Sequence, residues 1–173
     1  MIVAQVGSTL YDVVLLLHLL FIIVGFGSSF VWPALASRAR KLDPPTGYAM
    51  NREALAVGKI LTSPFIWLAG LFGIVLIQLS DGVFTHSQTW ISIAYLLFIV
   101  AAALATFVHA PNLMAMNELS RQLVEGEAAP AGDGPPPQVA ELEARGKRAA
   151  MIGGILHLLF LALMIDMIFK PGL

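Results

Sequence analysis

Four histidines, His18, His86, His109 and His157, are the side chains of this sequence best suited to hold a metal or move a proton, and no cysteine accompanies them. The absence of cysteine removes disulfides, thiolate metal sites, iron–sulfur clusters and thiol nucleophiles together. His18 interrupts the apolar run LLLHLLFIIVGFGSSFVW. At helical spacing it shares a stripe with Tyr11, Phe21 or Ile22, Gly25, Ser29 and Trp32. Gly25 and Ser29 form a small-xxx-small pair, which lets another helix or a flat ligand approach the backbone closely. His157, in GGILHLLFLALMIDM, shares its face with Gly153, Phe160 or Leu161, and Met164.

Two imidazoles on separate helices, each beside glycine, are what a bis-histidine haem b needs. Glycine leaves room for the porphyrin, imidazole ligates the iron, and aliphatic side chains wrap the ring. The candidate ligands are therefore His18 and His157, the candidate cofactor-binding residues Gly25 and Gly153, and Met164 is an alternative axial ligand by its spacing. At 1.5 Å per residue His18 lies about 10 Å, and His157 about 18 Å, from the same side of the membrane, a difference left to helix tilt. The other reading stays open: an imidazole among apolar residues also serves simply by hydrogen-bonding a neighbouring carbonyl.

The remaining polar residues narrow the chemistry. His109 falls at the end of its apolar run, just before Pro111, and reads as interfacial; His86 lies in a short polar connection and reads as solvated. Asp12 suits the first turn of a helix, where a carboxylate favours the positive dipole end. Asp166, near the end of the last helix, is expected to reach the headgroup zone together with Lys170. It stands close to half a turn out of phase with His157, so no relay between the two within one helix is expected. No HExxH motif, nucleophile elbow, P-loop or dinucleotide fingerprint is present.

What must position these residues is a membrane. The chain has 173 residues, 58% of them hydrophobic and only 12% charged, with a mean hydropathy of +0.82. Soluble domains carry roughly a quarter charged residues, so this surface cannot face water. The net charge of −1 says nothing about nucleic acid, and no basic cluster with interleaved aromatics argues for it, so no nucleic-acid partner is expected. Four apolar runs, near residues 10–35, 60–79, 90–109 and 149–169, each reach the roughly 20 helical residues that cross a hydrocarbon core. The expected fold is all-α: a single four-helix membrane bundle spanning the chain, with the bilayer as its first partner.

The connections set the orientation. The first carries Arg38, Arg40, Lys41, Arg52 and Lys59, the second none, and the third Arg121, Arg145, Lys147 and Arg148. The positive-inside rule then places both basic connections in the cytoplasm and both termini outside. The first run lacks a basic start, its apolar core is long and its positive charges follow it, so a cleaved leader is not expected. Residues 125–138, EGEAAPAGDGPPPQ, read from composition as a flexible cytoplasmic linker between the third and fourth helices. Before them, Leu113, Met116, Leu119 and Leu123 keep helical spacing, so the third helix is expected to continue past a kink at Pro111.

A first-helix histidine followed by glycines, a second helix opening KILTSPFIWLAGLFGI, a third opening with Trp90 and a last helix closing on FKPG resemble a family of small bacterial integral membrane proteins, domain-of-unknown-function family 2269. More distantly the four spans are similar to HemJ-type protoporphyrinogen oxidases and copper-resistance protein D domains. The HemJ resemblance implies a haem b ligand at His18 and matches a terminal Lys-Pro pair at Lys170 and Pro171. Two departures weaken the oxidase activity more than the haem site: WISIAYLL lacks the family's lysine, and RAAMIGG stands where it has an Arg…Asn-Glu motif. His157 is not carried by the resemblance.

The resulting expectation is a b-type haem-binding protein of the bacterial inner membrane, passing electrons or oxidising a porphyrin-like or quinol substrate. The competing expectation is a non-enzymatic accessory or scaffold subunit with structural histidines, working with a membrane-protein partner or as a homo-oligomer. A permease is a weaker third class, since four helices alone leave little room for a pore.

Overall fold

The structure is a computed structural model that describes residues 6–127 and 134–173. Among these residues every regular element is helical. Four helices are long and apolar enough to cross a membrane: α1 (Thr9–Ala39), α2 (Pro44–Gln78), α3 (Thr89–Glu125) and α4 (Pro137–Phe169). Their apolar side chains point outward to an extent no water-soluble domain tolerates. Ile23, Ile60, Phe107 and Phe169 are all more than two-thirds exposed, a surface suited to lipid.

The helices overrun the apolar runs from which they were expected. Three polar extensions carry no hydropathy signal yet continue the same hydrogen-bond ladders: residues 44–57 before the second run, 110–125 after the third and 137–148 before the fourth. Local chemistry sets their ends. The Ser8 hydroxyl accepts the Tyr11 N–H at the start of α1 (3.3 Å), and the Asp43 carboxylate accepts the Thr46 N–H at the start of α2 (3.1 Å). Gly126, at φ 74°, adopts the left-handed conformation that closes α3. Of the expected linker, residues 128–133 lie outside the described residues.

Two wide, π-type turns interrupt the ladders, at Gly58–Thr62 in α2 and Leu104–His109 in α3. Each comes just before a proline, Pro64 and Pro111. Proline donates no hydrogen bond, and its ring crowds the carbonyl four residues back. Widening the preceding turn relieves that crowding while amide bonding continues, with Ser63 N–H reaching Gly58 O and Ala110 N–H reaching Ala105 O. The third helix thus continues past Pro111 as expected, by a wider turn. The same device at Pro64 was not anticipated.

The chain divides into two compact units. The first comprises the described residues of Met1–Phe30, with Val57–Ile99 and Leu159–Leu173. Its core is Tyr11, Val14 and Leu76, surrounded by Leu15, Phe72, Val75, Leu79 and Phe84. Ser80, fully buried, ties the turn after α2 by donating to the Ile77 carbonyl (2.7 Å) and accepting the Phe84 N–H (3.0 Å). The second unit comprises Val31–Ala56 and Val100–Leu158. There the buried Asn112 of α3 donates to the Arg145 carbonyl of α4 (3.0 Å). The turn between α1 and α2 needs Gly47, where a Cβ would stand 2.6 Å from the Ala39 carbonyl oxygen.

Candidate histidine sites

In the first unit α1 and α2 meet along a seam that includes Tyr11, Val14, His18, Phe21, Gly25 and Ser28 on the α1 side. Their alternating three- and four-residue spacing keeps one stripe facing a partner helix. His18 lies in the middle of it. Its Nδ1 is 2.8 Å from the Ala69 carbonyl oxygen. A carbonyl only accepts, so Nδ1 carries a proton, and in the neutral imidazole the lone pair is then left on Nε2. Small residues on α2 make the seat. Ala69 is buried, and a Cβ on Gly73 would come within 3.2 Å of His18 Cε1. Below the ring, Phe21 packs edge-on against Phe72 and Phe65.

Gly25 serves the same seam. A Cβ there would meet Ile66 N at 2.9 Å and the Phe65 carbonyl carbon at 3.1 Å. The clearance expected for a helix or a flat ligand is filled by a helix. One turn further on, Ser28 Oγ and Thr62 Oγ1 share a hydrogen bond of 2.7 Å.

His157 belongs to the second unit, where the structure brings it together with His109. A Cβ on Gly153 would lie 3.9 Å from His109 Cε1, and the His157 imidazole acts electrostatically on His109. His109 Nδ1 is buried without a hydrogen-bond partner. The reading of His109 as interfacial did not include this neighbour. The available signal was depth: counted from the end of α4, His157 lies about 18 Å in, toward the side where His109 closes the apolar part of α3. The wide turn that ends on His109 adds a residue to the ladder and so resets the face it presents.

The other candidates fall elsewhere. Met164 is 40% exposed. His86 is held at both ring nitrogens instead of being merely solvated: Gln78 Nε2 donates to its Nε2 (3.0 Å), and its Nδ1 donates to the Tyr95 hydroxyl (2.7 Å). Asp166 departs most from expectation. It is buried and both carboxyl oxygens lack a hydrogen-bond partner. Lys170 lies over the rings of Phe84 and Trp90, 4.8 and 5.5 Å from their centroids, and not against the carboxylate. No group of three or more His, Asp or Glu suited to a metal ion occurs among the described residues.

Four long apolar helices with lipid-type surface define an all-helical integral membrane protein. Residues 12–171 match the family described as predicted integral membrane protein (DUF2269), and the chain belongs to that family. No curated protein and no solved structure matches it.

Proposed function

We propose that this protein is a b-type haem-binding protein of the bacterial inner membrane, with both termini outside the cytoplasm. His18 is the histidine that would hold the iron, and His157 is a separate candidate, each taken within its own unit. The observation that carries the proposal is the hydrogen bond from His18 Nδ1 to the Ala69 carbonyl. Metal-ligating histidines almost always donate their other ring N–H in this way, which fixes the tautomer and raises the basicity of the ligating nitrogen. The donor chemistry therefore fits iron at His18 Nε2. Gly25 is committed to the α1–α2 seam, so the histidines carry the reading and the glycine does not. Bound haem supplies one-electron chemistry. That suits electron transfer or the oxidation of a quinol or porphyrin-like substrate.

The competing reading is an accessory or scaffold subunit in which His18 is an interhelical strut. It is favoured by the close approach of α2 to Gly25. A reduced-minus-oxidised visible spectrum of the protein purified from haem-sufficient cells separates the two. The haem reading expects a Soret band with sharp reduced α and β bands, lost or weakened in His18→Ala. His157→Ala and His109→Ala are run separately, loss of haem in either assigning that histidine a part in binding, with His86→Ala as the unaffected control. A colourless, folded protein refutes haem binding and leaves the strut.

A further inference from the structure

Asp166 is the buried titratable group that the histidine reading leaves unused. It lies one turn before the end of α4, within the first unit, and is 5% exposed. Neither of its oxygens accepts a hydrogen bond. The titratable and charged groups of that end of the unit are Lys170 after α4, Tyr11 and Asp12 in the first turn of α1, Asp81 and His86 in the connection after α2, and Tyr95 on α3. None of them bonds it. His86 and Tyr95 are engaged with each other, and Asp12 and Asp81 are exposed.

Lys170 is the informative neighbour. It follows Asp166 by four residues, and its backbone N–H donates to the Asp166 carbonyl (2.8 Å). Its ammonium is nevertheless spent on the faces of Phe84 and Trp90. An ionised carboxylate buried without a donor or counter-ion is strongly unfavourable, and a cation one turn away would be drawn to it. A carboxyl that carries a proton makes no such demand and leaves the ammonium free for the rings.

We propose that Asp166 is a proton-binding site, loaded when Lys170 rests on Phe84 and Trp90, and discharged when Lys170 leaves those rings to pair with the carboxylate. On discharge the O–H bond breaks, the proton passes to water at that end of α4, and the Lys170 ammonium supplies the countercharge. No electron moves. The site is independent of haem.

The test is labelling of the full-length protein in mild detergent with dicyclohexylcarbodiimide, an apolar carbodiimide that adds to protonated carboxyls, followed by peptide mass spectrometry. At pH 7 a solvated aspartate is protonated in only about one molecule in a thousand. Asp166 is therefore expected to label about tenfold or more above Asp12 and Asp81, and its label to fall as the pH is raised. Lys170→Gln removes the countercharge of the discharged form, so its label is expected to persist to higher pH. Asp166→Asn, an amide that mimics the loaded carboxyl, is expected to lose the label and fold normally; if it does not fold, the wild-type pH profile still decides. Labelling of Asp166 no greater than that of Asp12 overturns the proton site, as a hydrated, ionised carboxylate would give. A Lys170→Gln profile identical to wild type overturns the lysine switch.

Discussion

Replacing Gly25 and Gly27 separately by alanine, two residues apart on α1, isolates what the seam with α2 costs to disturb. Either substitution gains about 0.5–1 kcal/mol of helix propensity, because glycine is the more costly residue to order in a helix. At Gly27 nothing lies within 4 Å of the new Cβ, so that gain stands alone. At Gly25 the Cβ meets Ile66 N at 2.9 Å, Ile66 Cγ1 at 3.1 Å and the Phe65 carbonyl carbon at 3.1 Å. Two of these are backbone atoms that cannot rotate aside, so α1 and α2 must separate. Overpacking of this kind costs about 1–3 kcal/mol. Gly25→Ala should therefore be less stable than Gly27→Ala by roughly 1–3 kcal/mol, and from about equal to wild type to about 2.5 kcal/mol below it. Titration from mild detergent into dodecyl sulfate, followed by circular dichroism, measures the difference. Equal stability of the two variants would refute the close α1–α2 approach, and with it the seat assigned to His18.

Three further outcomes follow from other parts of the chain. The Thr46 N–H on its carboxylate holds Asp43 below the usual carboxylate range, so the capping contribution is present above about pH 4 and fades as the pH falls through the lowered value. The Tm gap between wild type and Asp43→Ala should accordingly be constant near neutrality and close in acid. Asn112→Ala removes the bond to the Arg145 carbonyl and should cost about 0.5–1.5 kcal/mol in the same sulfate titration; no change would show that this bond adds nothing. A periplasm-dependent reporter fused after Leu173 should be active and one inserted at Gly132 inactive, and the reverse pattern would overturn the proposed orientation.

Four membrane helices were legible in the sequence because length and apolarity are local properties. The polar extensions at residues 44–57, 110–125 and 137–148 were only partly so. Hydropathy marks where a helix leaves the apolar phase, and not where its hydrogen bonds stop. The wide turn before Pro111 could be suspected from the proline, and Pro64 carried the same signal. The stripe of Tyr11, His18, Phe21 and Gly25 was also readable, from its spacing alone. Tertiary structure decided what each face meets: the Ala69 carbonyl, 51 residues away, for His18; the backbone of α2 for Gly25; His109 for His157; and a buried place without a hydrogen-bond partner for Asp166, with Lys170 turned onto two aromatic rings. The physical reason is the solvent. In water, periodicity separates a polar face from an apolar one and so reveals the inside. In a membrane, lipid and protein interior are equally apolar, and only close packing and hydrogen bonds between helices tell one face from the other.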